Sequence, residues 1–406
     1  MKKDQILKIY GTDYKKMTIR LLEKAGLKDM IPDKNCRIGI KPNLVSPTPA
    51  SYGATTHPEV VAGIIEYLQE YGFRNIMIAE GSWVGDRTSE AIEVCGYDAL
   101  AEKYGVTMHD TQKDSSFPTD CAGLELNLCK CVGEIDFMIN VPVLKGHCQT
   151  KITCALKNMK GLIPNSEKRR FHSMGLHKPI AHLNAGIHQD FIVVDHICGD
   201  LDFEDGGNPV VCNCVMAACD PVLVDAYVCR LLHYSTEDVP YVGLAELLGV
   251  GSTDLEHADI RVCGALEDSN ARSRESGRKA GADTEEAWRS VRTDMKATEQ
   301  ALWQIEEELP LNRKIVELQD AVEEVESCSA CYGYLIPALD RLREEGLLGK
   351  LDSKICIGQG YQGRTGRIGI GRCTKDFEYN VKGCPPTENQ IYEFLKRYIA
   401  VSESGQ

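Results

Sequence analysis

Short, almost wholly apolar segments alternate with amphipathic ones through the first two-thirds of this chain, and that rhythm restricts the fold more than any other feature. Residues 37–41, 75–79, 106–108, 137–141, 191–195 and 260–262 read as strands. Between them, 58–71 reads as a helix with Val60, Val61, Ile64, Ile65 and Leu68 on one stripe, the period of a helix with one buried face. Pro58 suits its first turn and Gly72 its end. Residues 89–104, 151–160 and 221–232 read as further helices. Strands without polar alternation must be buried on both faces. The pattern therefore predicts an α/β fold, a mostly parallel sheet covered by helices.

Residues 266–312 change character. Glu, Arg, Ala and Gln dominate, and the segment reads as a charged helical connector. It would join a front α/β domain, 1–265, to a smaller C-terminal cysteine-ligand domain, 313–406, with helices near 335–345 and 387–398. At 406 residues the chain is long enough for more than one core. A net charge of −14 argues against nucleic acid as a partner. No run approaches about 18 uninterrupted apolar residues, so no membrane span is expected. No apolar stretch follows the first lysines, so no secretory signal is expected and the location reads as cytoplasmic. The 18 cysteines are then thiols, many of them buried. Such a load suits an anaerobic cytoplasm.

Four of those thiols are spaced as ligands. Cys328 and Cys331 form a C-x-x-C pair, Cys373 follows a glycine-rich run, and Cys384 lies in Gly383-Cys384-Pro385-Pro386. Two close thiolates and two distant ones can wrap a soft metal centre. A four-iron, four-sulfur cluster is the first expectation and a Cys₄ zinc the alternative. Thr387-Glu388-Asn389-Gln390 fits a capping box, so a helix N-terminus with free N–H groups should follow Cys384. Cys356 is a fifth candidate, expected to point into a core. Gly358-Gln359-Gly360-Tyr361-Gln362-Gly363 matches G-x-G-x-x-G, but no helix opens after it. It reads as a loop around the cysteine site and not as a dinucleotide fingerprint. Cys129 with Cys131, and Cys212 with Cys214 and Cys219, read as buried thiols ahead of a second metal site.

Polar residues of the front domain fall at strand ends. Lys41-Pro42-Asn43, Glu80-Gly81, 142–147 and Asp195-His196 each follow a strand. Open parallel sheets bind ligands at that edge. Lys145, His147, Lys157, Asn158, Lys160 and His172 add local basicity to an acidic chain, which suits a small anionic ligand. Lys41, Lys145 and Lys157 would neutralise it, and Asn43 and Asn158 would orient it. His147 or His172 would move protons. Glu80 or Asp195 would hold that imidazole or act as base. Lys168-Arg169-Arg170 and the acidic loop 200–207 read as solvated. Asp220 reads as the N-cap of helix 221–232, with Asp225 facing inward one turn later.

Ile40-Lys41-Pro42-Asn43, Thr56-His57-Pro58-Glu59-Val60-Val61, 142–147, 155–161, His172, Val194-Asp195 and Asp220-Pro221 with Asp225 resemble the domain-of-unknown-function 362 family over roughly residues 35–240. Members of that family often carry iron–sulfur cysteines, commonly in an attached ferredoxin segment. The resemblance therefore implies a cluster. This chain differs in its dispersed cysteines, and at 204–209, where the family usually shows a tighter glycine-proline turn. The reading is an iron–sulfur enzyme acting on a small anionic substrate, reductase-like and fed by an electron-donor protein. The alternatives are a hydro-lyase or isomerase using the cluster as Lewis acid, and a metal-dependent binding or carrier protein without turnover.

Overall fold

A computed structural model describes residues 1–266 and 314–404, and the expected connector at 266–312 lies, beyond its first residue, outside them. The front body contributes β1 (Gln5–Gly11), β2 (Ile38–Pro42), β3 (Ile76–Glu80), β4 (Thr107–Asp110), β5 (Ser116–Cys121), β6 (Leu124–Cys129), β7 (Phe137–Val141), β8 (Lys145–His147), β9 (Lys151–Thr153), β10 (Phe191–His196), β11 (Cys214–Ala218) and β12 (Asp259–Leu266). Eight of these form one sheet in the order β12-β1-β11-β10-β7-β2-β3-β4. The sheet is parallel except where β11 runs antiparallel to β1 and β10. This is the α/β, mostly parallel architecture that the apolar strands predict.

Each strand feeds two cores because successive side chains point to opposite faces. Phe191 and Val193 pack with the helices Tyr14–Ala25 and Pro58–Glu70. Ile192 and Val194 pack with His177–Gly186, Pro221–Leu231 and Pro240–Leu247 on the other side. The Val60, Val61, Ile64, Ile65 and Leu68 stripe is fully buried. Asp220 caps its helix, accepting N–H bonds from Val222 and Leu223.

The elements differ from the sequence reading in places. The single helix expected at 89–104 is two, Thr88–Val94 and Tyr97–Tyr104. Gly96 separates them at φ 76°, the left-handed conformation that ends a helix. Of 151–160, Lys151–Thr153 is strand and only Ala155–Asn158 is α-helix. β1 and β11 lie outside the expected strands. Lys8 interrupts the apolar run of β1, and inside the fold its Nζ donates to Tyr227 Oη at 2.8 Å.

The C-terminal body is a second parallel sheet, β13 (Val322–Glu324), β14 (Ile355–Ile357), β15 (Ile368–Ile370) and β16 (Tyr379–Val381), in that order. Helices Ser329–Glu344 and Glu388–Ser404 pack on it through Leu335, Leu339, Ile391 and Leu395. In β14, Ile355 and Ile357 take the core face, so Cys356 faces the other way and is half-buried. The expectation that Cys356 points into a core is corrected by this period of two. Cys148 and Phe203, from the front body, complete the C-terminal core. Gln319 Nε2 donates to Cys148 O at 2.6 Å, and Gln149 Nε2 to Ser327 Oγ at 2.9 Å. These contacts fix one body against the other.

Candidate functional site

A cavity of about 1100 Å³ opens where the two bodies meet. The C-terminal body lines it with Cys328, Cys331, Cys373 and Cys384. The front body lines it with Asn43, Glu80, Lys145, His147, Lys157, Asn158, Lys160, Lys168 and His172. All four candidate thiols and most of the candidate polar groups therefore meet in one space, although they come from separate cores.

Local structure aims the thiols. Cys328 is the N-cap residue of helix Ser329–Glu344, and Cys331 lies in its first turn. Cys384 precedes helix Glu388–Ser404, whose Thr387 and Gln390 exchange the expected capping-box hydrogen bonds. Two helix N-termini, with their partial positive charge, thus adjoin the sulfurs. The glycine-rich loop supplies donors: Gln359 Nε2 lies 3.5 Å from Cys328 Sγ, and Gln362 Nε2 lies 3.7 Å from Cys373 Sγ. The loop wraps the cysteine site, as its sequence implies. Gly371 sits beside Cys331 at φ 83°, the left-handed region that favours glycine. Burial pushes the Cys331 thiol up to about 12, and the neighbouring Cys328, Cys384 and Cys373 add to the rise. Thiols that raise one another's pKa in this way become ligands when a cation takes up their charge.

Four thiols with amide donors and no carboxylate among them form a soft donor set that fits a thiolate-bound metal. Among the described residues, the groups of three or more ligand atoms mutually within 4.8 Å are His109–Asp114–Cys131 and His147–Cys148–Glu204. No three tail sulfurs meet within that distance. At His147 the Nδ1 atom accepts the N–H groups of Gln149 and Thr150 at 3.0 and 3.3 Å. The ring proton therefore sits on Nε2, which faces Glu204 Oε1 at 3.6 Å. A cation would need that nitrogen bare, so this trio is a polar joint. Cys129, Cys212 and Cys214 are thiols packed in the front core, as expected.

The lysine wall departs from its expected roles. Lys41 does not reach the cavity. Its Nζ lies 2.6 Å from Glu80 Oε2, with the two side chains 1% and 4% exposed. Glu80 also accepts the N–H groups of Leu44 and Gly81. Lys41 thus neutralises Glu80 and not a substrate, and Glu80 holds no imidazole, because a closer cation occupies it. Gly161 packs on this pair, and an added Cβ would lie 1.9 Å from Glu80 Oε1 and 2.5 Å from Lys41 Cε. Both ends are pinned by the ion pair. Gly161→Ala is therefore expected to cost about 1–3 kcal/mol, measured by urea unfolding. Unchanged stability would mean that the pair can move aside.

Lys145 Nζ donates to Ala54 O and Glu204 O at 2.6 and 2.7 Å. Lys168 is buried, not solvated, and donates to Gly81 O and Ser82 O at 2.8 and 2.7 Å. Lys157 has one weaker partner, Thr153 Oγ1 at 3.2 Å, and Lys160 lies over the Phe171 ring at 5.8 Å. Neither pairs with a carboxylate among the described residues. Burial lowers Lys157 to about 8, against the pull of Glu204. Burial, then Lys157 and Lys168, hold Lys160 well below its ordinary value. Lys157 and Lys160, with Arg169, Arg372 and Lys375 on the same lining, are the basic groups that face a ligand.

His147 and His172 do not titrate near neutrality as expected. Burial, then the nearby lysine charges, lower His147 far below the imidazole range and His172 to about 2. Both are neutral imidazoles. Asn158 Nδ2 donates to Asn140 Oδ1 at 2.7 Å and Lys41 O at 3.1 Å, and Asn43 Oδ1 accepts Val45 N–H at 3.2 Å. Both amides brace the strand ends. Asp225 accepts the N–H groups of Ala155 and Leu156 at 2.7 and 3.1 Å, fixing the turn that carries Lys157 and Asn158. Asp195 lies outside the cavity and holds His57, through Nδ1 at 2.8 Å, not His147 or His172. Sequence reasoning passed over Glu204. The acidic loop around it reads as solvated in the sequence, yet Glu204 accepts Cys148 N–H at 2.9 Å, and Cys148 Sγ lies 2.9 Å from its other oxygen. The buried Phe203 beside it was the available signal.

The fold and site define an α/β protein with a cysteine- and lysine-lined cavity suited to a metal. Residues 38–230 match the family described as Domain of unknown function (DUF362). A thylakoid-associated protein of Synechocystis sp. is 26% identical over 250 residues, 58% of this chain and 75% of that protein. Among solved structures, the lactate racemase apoprotein from Thermoanaerobacterium thermosaccharolyticum matches with a TM-score of 0.38 and 17% identity, over 57% of this chain and 58% of that one. Among the described residues, no helix is long and apolar enough to cross a membrane.

Proposed function

We propose that Cys328, Cys331, Cys373 and Cys384 hold a four-iron, four-sulfur cluster, and that the protein is a reductase-like enzyme for a small anionic substrate. One observation carries the reading: four thiols and the weakly partnered amines of Lys157 and Lys160 line the same cavity. Two close and two distant cysteines suit such a cluster, and a Cys₄ zinc is the alternative that the same four thiols could hold. When bound, the cluster would supply single electrons, delivered by a donor protein. Lys157 and Lys160 would bind the anion. Neutral His172 would hydrogen-bond the substrate, and His147 would hold its Nε2 proton toward Glu204.

Anaerobic purification followed by iron, sulfide and zinc analysis tests the centre. About four irons and four sulfides per chain are expected, with absorbance that bleaches on reduction. Stoichiometric zinc without iron, or a centre inert to reductant, would remove the redox proposal. Calorimetric titration with phosphate and with succinate tests the anion wall. Lys157→Gln or Lys160→Gln is expected to weaken binding about 10–100-fold, one charged hydrogen bond's worth. Equal affinity in wild type and both variants would move the anion elsewhere.

One feature favours a second reading. Cys384 is exposed while the other three thiols are half-buried. A cluster held by three cysteines would leave one iron open as a Lewis acid for hydration or isomerisation. Spectra that survive Cys384→Ala but not the other three replacements would select it.

A further inference from the structure

Asp195, His57 and Cys198 form an array separate from the cavity. His57 Nδ1 lies 2.8 Å from Asp195 Oδ2, and His57 Nε2 lies 3.6 Å from Cys198 Sγ. Asp195 is itself pinned, accepting the N–H groups of His57 at 2.7 Å and Ile197 at 3.1 Å. A thiol, an imidazole and a buried carboxylate thus stand in sequence, the geometry of a nucleophile, its proton acceptor and the group that orients it. We propose that Cys198 is a thiolate nucleophile paired with the His57 imidazolium and oriented by Asp195, and that it reacts with small hydroperoxides.

The surroundings agree. The Tyr14 ring meets His57 edge-on at 5.4 Å, and Glu59 is the next acidic group on the adjoining helix. The groups that act electrostatically on His57 are Asp195 and Cys198, and neither is a cation. Burial disfavours a charged His57, but the Asp195 charge and hydrogen bond outweigh it and raise the imidazole to about 10. Both ring nitrogens then donate, one to carboxylate and one to sulfur. Access is narrow: Cys198 is 8% exposed and the His57 side chain 12%. That selects a small electrophile. The sulfur would attack one peroxide oxygen, forming an S–O bond as the O–O bond breaks. Sulfur loses two electrons to the peroxide. The leaving hydroxide or alkoxide takes the His57 Nε2 proton, and a sulfenic acid remains. The competing arrangement is a packed thiol that donates to Ala50 O, 3.5 Å away.

Pulse labelling of the native full chain with iodoacetamide at pH 6 and pH 8, read by peptide mass spectrometry, separates the two. An ordinary thiol labels roughly 80-fold more slowly at pH 6, from its free pKa. Cys198 is expected to differ by less than about threefold, as a paired thiolate would. His57→Gln and Asp195→Asn should restore the ordinary pH dependence. Hydrogen peroxide with dimedone should then tag Cys198 in the wild type. An ordinary pH profile, or no label at Cys198 in the folded wild type, overturns the thiolate, and this reading needs no variant to fold. Iodoacetamide labelling without any dimedone tag overturns the hydroperoxide class.

Discussion

Replacing Cys331 by serine is expected to empty the protein of iron, from about four atoms per chain to fewer than one, with loss of the visible absorbance. Cys331 is the thiol on which all three of its partners act, and it lies in the first turn of helix Ser329–Glu344. Losing it removes one ligand and breaks the C-x-x-C pair that anchors the rest. Cys356→Ser is the matched control. Cys356 lies in the same body but is not among the residues that line the cavity, so iron content should not change. Far-UV circular dichroism and a urea midpoint separate metal loss from unfolding, because Cys331 sits at the edge of the C-terminal core. Equal iron in both variants would mean that these thiols hold no cluster.

The second large effect is on stability against pH. His172 is held at about 2 in the folded state by burial and by Lys160 and Lys157, whereas a free imidazole binds its proton near 6.5. The folded state therefore binds fewer protons than the unfolded chain. His172's contribution is full above the unfolded value and is lost as pH falls below it. Asp205 and Asp225 act in the opposite sense. Burial raises each to about 7, so their contribution is full below the unfolded carboxylate range and is lost as pH rises toward 7. The sum over all groups hides any one of them, and a comparison of variants isolates it. His172→Gln should gain about 2 kcal/mol relative to wild type between pH 7 and pH 5, from the proton that wild-type His172 takes up only on unfolding. Urea unfolding at the two pH values measures the difference. A constant gap would mean that His172 is already charged in the folded chain.

The cysteine site was legible because ligand spacing lies along the chain. Cys328 and Cys331 must face one point whatever surrounds them, and the Thr387–Gln390 capping box announces the helix after Cys384. The strand-tip residues were legible as a group, since apolar strands end where Asn43, Glu80 and Lys145 begin. Their individual roles were not. Lys41 and Glu80 are 39 residues apart, and nothing local says that they spend their charges on each other. Asp195 went to His57 for the same reason, 138 residues away. Helix 89–104 was overextended because its apolar period continues through Gly96, and only backbone geometry reveals the break. β1 was missed because a buried lysine reads as a surface one until Tyr227 stands beside it.

The strand β1 sits inside the large sheet, between β11 and β12, with Ile6 opposite both Ala218 and Ile260. During synthesis this opening stretch must wait for more than 200 residues before either neighbour leaves the ribosome. Pairing so distant is slow to form, and until then an apolar ribbon with unpaired edges is open to chaperones or to its own copies. The strand lies second from the edge of the sheet, so the front body completes its sheet on one of the earliest of its strands to be made.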